Sequence, residues 1–317
     1  MKKIVLAGVA VAVVVAGIYW RVSISGETAG EAAYAREREV TVWSRLAQVR
    51  EPVAMLRYGE RVGVLERRSG KASVRTAAGA VGWVDETQLS DVDAWERGAR
   101  MVEQARVMPP QGRGRTKVLT NVRAEPGRSG PKLYQFRAGV PVEILARAVA
   151  DMTPGEGAAA SKAAGGEEPK REDWLFIRAK TEDAGEIAGW VLGRFLEPDL
   201  PEALRVYAAG IRFVAWFELN RVPDEEGDKP QFLAVGVSGP EGQPCDFTML
   251  RVYTWGTQRR RYETAFLESN LCGKLPVRVE PKGAEVFFNF KNASRAGEED
   301  RQYAMRSTSV RRITARR

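Results

Sequence analysis

The sequence predicts a mainly β protein, with two small β modules joined by a helix, then a third β-rich domain, all behind an apolar N-terminal helix. Three observations lead there: an internal repeat of alternating apolar residues, longer strand-like runs beyond residue 203, and an uncharged stretch near the start. With 317 residues, 44% of them apolar, the chain can bury several cores.

The N-terminal segment comes first. Lys2 and Lys3 precede an uncharged run from Ile4 to Trp20 dominated by Val and Ala, the pattern of an export signal. At ~1.5 Å per residue this run reaches roughly 25 Å, and Val22 and Ile24 extend it, so residues 1–25 are expected to be a signal anchor spanning the inner membrane through residues 4–24. The alternative is cleavage, for which Ser23-Ile24-Ser25 is the best small-residue site. The lysines before the span place the N-terminus inside and everything else, after a linker over 26–39, in an oxidising extracytoplasmic space.

The repeat follows. Gly59-Glu60-Arg61-Val62-Gly63-Val64-Leu65-Glu66-Arg67 recurs 80 residues later as Gly139-Val140-Pro141-Val142-Glu143-Ile144-Leu145-Ala146-Arg147. Gly82-Trp83-Val84 with Leu89 recurs 107 residues later as Gly189-Trp190-Val191 with Leu196. The second copy therefore carries an insertion, placed at 148–173, where Ala, Gly, Glu, Lys and Pro prevail and too little apolar surface exists to offset ordering entropy. Module 1 is expected over 40–90 and module 2 over 115–198.

Asn121-Val122-Arg123-Ala124-Glu125-Pro126, Leu133 and Tyr134, the Gly139-led strand, then Gly189-Trp190-Val191 and Leu196 resemble the bacterial SH3 (SH3b) domain pattern. In the first copy Ala47-Gln48-Val49-Arg50 approximates the opening element. The whole layout resembles bacterial envelope proteins with tandem SH3b domains and a β-rich C-terminal region, which implies small SH3-like barrels and cell-wall or protein recognition. Trp83 and Trp190 have two readings, an aromatic binding platform or a plug in the barrel core. Repetition in both copies favours the core. Between the modules, residues 91–110 form a linker region, its helix read over 91–107, with Ser90 placed to cap it and Pro109-Pro110 to end it.

The third domain, 203–317, follows a short helix from Pro201 to Ala209. Strands are expected at Ile211–Leu219, Phe232–Val237, Met249–Trp255, Tyr262–Leu267, Val277–Glu280, Val286–Phe290 and Tyr303–Ile313. If the third and fourth form a hairpin about residues 256–260, Cys245 and Cys272 fall opposite one another, and in an exported protein two such thiols form a disulfide. The other reading is a pair of small buried hydrophobes. Arg259, Arg260 and Arg261 on the turn are candidate anion-binding residues, or else solvated turn charges.

Composition narrows function. The absence of histidine excludes Ser-His-Asp and Cys-His catalysis and His-ligated zinc, and two cysteines are too few for a four-cysteine metal site, so no metal or cofactor is expected. A net charge of +8 spread over the chain, with an export signal and no recognition motif, argues against nucleic acid. The expectation is a non-enzymatic, membrane-tethered binding or scaffolding protein whose partner is a cell-wall polymer or an envelope protein. The alternatives are a sensor or assembly subunit of an envelope complex, and a glycan hydrolase using paired carboxylates such as Asp246 and Glu263.

Overall fold

The computed structural model describes residues 30–152 and 170–313. The expected membrane anchor lies outside the described residues, and among those that are described no helix is long and apolar enough to cross a membrane. The chain forms two compact units, Met1–Trp95 and Glu96–Arg317.

The first unit holds seven strands: β1 Glu31–Ala35, β2 Glu39–Trp43, β3 Pro52–Arg57, β4 Arg61–Arg68, β5 Lys71–Arg75, β6 Val81–Asp85 and β7 Leu89–Asp91. They form one antiparallel sheet in the order β3-β2-β6-β5-β4-β1-β7. Strand alternation sends Val40, Val42, Leu56, Val62, Val64, Ala72, Val74 and Val84 to one face, where they make a core. The module thus begins earlier than expected. Residues 31–35, within the expected linker, pair with both β4 and β7 although Glu and Ala have weak strand preference.

A helix, α1, follows at Val92–Val107, close to the expected span. Asp91, rather than Ser90, caps it, accepting a hydrogen bond from the Ala94 N–H at 2.6 Å. Trp95 stacks on Tyr34 at 4.8 Å and meets Tyr58 at 5.3 Å. Gly59 must be glycine here, because its φ is +78° and a Cβ would lie 2.8 Å from the Trp95 ring.

The second module repeats the first strand for strand: β8 Gly112–Thr116, β9 Thr120–Arg123, β10 Lys132–Phe136, β11 Pro141–Asp151, β12 Arg171–Thr181, β13 Gly185–Leu192 and β14 Leu196–Pro198. Its order is β10-β9-β13-β12-β11-β8-β14, the same path as in the first unit. The expected insertion begins later than its composition indicates: β11 and β12 stay paired from Ala148 opposite Trp174 out to Asp151 opposite Arg171. Backbone pairing needs no large apolar side chains, which is why an Ala-rich stretch continues the hairpin. The glycine of each Gly-Trp-Val copy has one reason, since a Cβ at Gly82 would lie 2.6 Å from the Trp43 carbonyl oxygen and one at Gly189 2.5 Å from Val122 Cγ1.

After a short helix, α2 at Glu202–Arg205, two four-stranded antiparallel meanders complete the second unit. The first contains β15 Arg212–Val222, β16 Lys229–Val237, β17 Met249–Gly256 and β18 Arg261–Glu268. The second contains β19 Gly273–Lys282, β20 Glu285–Ser294, β21 Gly297–Arg306 and β22 Ser309–Ile313. Leu233, Val252, Phe247, Phe288, Tyr303 and Met305 are among the side chains that form their shared core. The expected last strand, Tyr303–Ile313, is instead a hairpin that turns at Ser307, whose φ is +53°.

Module 2 and this C-terminal region are joined by two buried polar connections. The Gln111 side chain, fully buried, donates to the Val277 carbonyl and accepts from the Val277 N–H, taking the place of a strand partner within the irregular stretch of β19 between Lys274 and Arg278. Arg147, with a side chain only 1% exposed, pairs with Asp173 of β12 at 2.6 Å and Asp246 at 3.2 Å, and donates to the carbonyls of Gln243 and Cys245. Arg67, its counterpart in the repeat, stays near the surface with Glu31 and Glu86.

Candidate functional site

Strand pairing aligns the two modules residue by residue. Trp43 pairs with Trp83, and Arg123 pairs with Trp190, so Thr41-Val42-Trp43 stands where module 2 has Asn121-Val122-Arg123. The stretch Ala47–Arg50 is therefore not the opening strand; it lies in the loop after it, closed by hydrogen bonds between Ser44 and Glu51.

Neither Trp83 nor Trp190 belongs to a barrel core. Val84 and Val191 point inward and are buried, so alternation turns both tryptophans to the opposite, outer face. In module 2 that outer face is covered. Leu133, Leu145, Phe176, Ala188 and Trp190 pack beneath Met101, Val102, Ala105 and Met108, all from α1 or the residue after it, and the Trp190 and Phe176 rings lie 5.3 Å apart. The equivalent positions in module 1 are Val53, Leu65, Ser73, Val81 and Trp83. The match includes the bulge, since the register shifts between Val64 and Glu66 in β4 as it does between Ile144 and Ala146 in β11.

Exposure separates the copies. Val53 is 41% exposed against 7% for Leu133, Leu65 40% against 0% for Leu145, and Val81 47% against 2% for Ala188. Met55 and Leu46 and Val49 of the 44–51 loop add further exposed apolar surface, so module 1 holds six of the twelve exposed large apolar side chains found among the described residues. Trp43 and Trp83, half-buried and directly opposed, have Cβ atoms about 5 Å apart as cross-strand neighbours. The Arg50 guanidinium lies 4.3 Å over the Trp43 ring. Exposed apolar side chains gathered on one module in this way are candidates for an interaction site. The arrangement offers stacking, apolar contact and the Arg50 cation.

The equivalent corner of module 2 is chemically different. Arg123 is held below the usual guanidinium range first by burial and then by the nearby Arg128 cation, and donates to the Gly130 carbonyl. Arg128 and Arg194 bracket Glu172, and their hydrogen bonds hold its carboxyl below the ordinary value.

The remaining expected residues are placed as follows. Cys245 and Cys272 form a disulfide, with Cα atoms 4.8 Å apart. The hairpin register agrees near the turn, with Tyr253 opposite Thr264, and shifts by one at a bulge that puts Val252 opposite Phe266. A bridge between Phe247 and Gly273 then brings the two cysteines together. Arg259 and Arg261 share Glu263 and Arg260 pairs with Glu226, so two local carboxylates offset part of the charge of this exposed cluster. Asp246 is committed to Arg147 and to the Leu275 N–H, while Glu263 serves the arginines, so the structure does not bring these two carboxylates together as an acid–base pair. Among the described residues no group of His, Cys, Asp and Glu side chains could hold a metal ion.

No family model matches the sequence, and no curated protein matches it significantly. The structure of NlpC2 from Trichomonas vaginalis aligns with 91% of this chain and 98% of its own, at 11% identity and a TM-score of 0.18. That of NlpC1 from the same organism covers 87% of this chain and 89% of its own at 12% identity and a TM-score of 0.19. An NlpC/P60 family protein from Bacillus cereus ATCC 10987 covers 74% and 93% at 11% identity and a TM-score of 0.22. Likeness at this level carries no argument about function.

Proposed function

We propose that the protein is a membrane-tethered binding or scaffolding protein of the bacterial envelope, and that the outer face of its first SH3b-like module engages the partner. The bare apolar face around Trp83, set against its covered duplicate in module 2, carries this reading. The export pattern of residues 2–20 supports placement outside the cytoplasm, where the Cys245–Cys272 disulfide is stable. In this reading, module 2 and the C-terminal meanders serve as a rigid body held by Arg147 and Gln111, and module 1 presents the ligand surface. The partner is an envelope protein or a cell-wall polymer, and the role is non-enzymatic.

The test is capture of full-length protein on purified sacculi and on immobilised envelope extract at low and high salt, comparing wild type with Val81→Glu and Met55→Asp. Capture that resists salt and falls with either substitution is expected, because the face is apolar rather than charged. Capture that salt abolishes and the substitutions leave intact would move the site elsewhere.

A further inference from the structure

The duplicate shows what kind of surface this face accepts. In module 2 the covering element is a helix, and it meets the sheet through Met101, Ala105 and Met108, at i, i+4 and i+7, with Val102 beside them. Gly98, one turn earlier, also faces Leu133, and a Cβ there would make ordinary van der Waals contact at 3.6 Å. One polar contact fixes the end of the helix: Arg178, near the end of β12, donates to the Ala105 carbonyl at 2.6 Å, joining the Met108 N–H as a second donor to that last-turn oxygen.

Module 1 keeps most of the floor and the arginine position of this arrangement, without the helix. Val53, Leu65, Val81 and Trp83 occupy four of the five floor positions, and Ser73 stands in place of Phe176. Arg75 pairs with Gly63 as Arg178 pairs with Glu143, so it occupies the position of the helix-capping arginine. Arg178 is shared with the Glu143 carboxylate, whereas Gly63 offers Arg75 no such group. Among the described residues the Arg75 side chain has no hydrogen-bond or ion-pair partner. Glu186, which holds Arg106 of α1, is replaced by Gly79, so the face in module 1 does not select for a cation there.

We infer that the outer face of module 1 binds an amphipathic helix from a partner protein, lying across Val53, Leu65, Val81 and Trp83 with its C-terminal carbonyls toward Arg75. The stripe it presents is small or unbranched, of the Met/Ala kind, because the half-buried Trp83 and Trp43 already fill part of the surface. This names the partner class for the binding face proposed above and rests on that proposal. A wall glycan, which has neither an apolar stripe nor a terminal row of carbonyls, leaves Arg75 without a role.

The probe is a fluorescein-labelled synthetic peptide with the sequence of residues 92–108, which carries a stripe of the required kind, titrated into the full chain and followed by anisotropy. Saturable one-to-one binding is expected. Val81→Glu should weaken it at least about tenfold by placing a charge in the apolar contact. Arg75→Glu should weaken it about threefold or more, and a peptide with Pro at the Ala105 position should not bind. Ala188→Glu, on the covered face, separates displacement of the native helix from binding to module 1, and Met55→Asp is a second variant at an exposed position should Val81→Glu fold poorly. Absence of saturable binding, or binding that Val81→Glu and Met55→Asp leave unchanged, overturns the helix. If the peptide fails while sacculus capture still depends on Val81, the face binds a polymer and the helix is wrong. If neither measurement responds to Val81, the binding face itself is wrong.

Discussion

Replacing Arg147 by Met tests the attachment of module 2 to the C-terminal region. The side chain is 1% exposed and makes contacts to Asp173, Asp246 and the carbonyls of Gln243 and Cys245. Without it, Asp173 keeps the Gly242 N–H and a longer contact to Arg212, and Asp246 keeps the Leu275 N–H. Two nearly buried carboxylates then lose their main counter-charge, and breaking a buried pair from one side costs about 3–5 kcal/mol. With a urea slope of about 2 kcal/mol per molar, the unfolding midpoint of the second unit should fall by about 2 M. The assay is urea unfolding followed by tryptophan fluorescence, with Arg67→Met as the internal control. Arg67 holds the same place in the repeat but is 39% exposed, with solvent available to its carboxylate partners. Its loss should move the midpoint much less. Equal effects of the two substitutions would refute the claim that Arg147 anchors the C-terminal region.

Other outcomes follow from the same geometry. Reducing Cys245–Cys272, or replacing both by Ser, opens a loop of sequence separation 27 and should cost about 3 to 4 kcal/mol, read as a lower thermal midpoint under reductant. Trp190→Ala should destabilise by about 2 kcal/mol because the ring packs under α1, while Trp83→Ala should cost under about 1 kcal/mol. Glu172 has its carboxyl lowered by Arg128 and Arg194, so its stabilising contribution is fully present above its ordinary value of 4.5 and is lost as pH falls through the lowered folded value. Glu172→Gln should therefore be less stable than wild type near neutrality and show a shallower loss of stability below about pH 4.5, measured by urea midpoints across pH.

Much of the architecture is legible in the residues. The repeat survives because turns and inward positions are constrained: Gly59 and Gly139 adopt φ of +78° and +85°, and Val62, Val64, Val142 and Ile144 fill equivalent cores. The disulfide follows from hairpin arithmetic that tolerated a one-residue bulge. What was missed has physical causes. Strand β1 hides in Glu31–Ala35 because its residues have weak strand preference and are held by neighbours on both sides. The opening strand of module 1 escaped because Trp43 stands where its duplicate has Arg123. The outward placement of the tryptophans, against the expected barrel core, has a signal in the sequence, since a buried Val84 next to Trp83 sends Trp83 outward at period two. The Arg147 connection could not be read, because neither Asp173 nor Asp246 is marked as its partner by spacing.

The central claim is that one face of module 1 waits for a partner while its duplicate in module 2 is already occupied. It is tested most directly by placing the photo-crosslinking residue p-benzoylphenylalanine at Val81 and, separately, at Ala188 in intact cells. The account predicts an adduct from position 81, to protein or glycan, that disappears when Met55→Asp is added, and none from position 188. No adduct from position 81, or equal adducts from both positions, would contradict it.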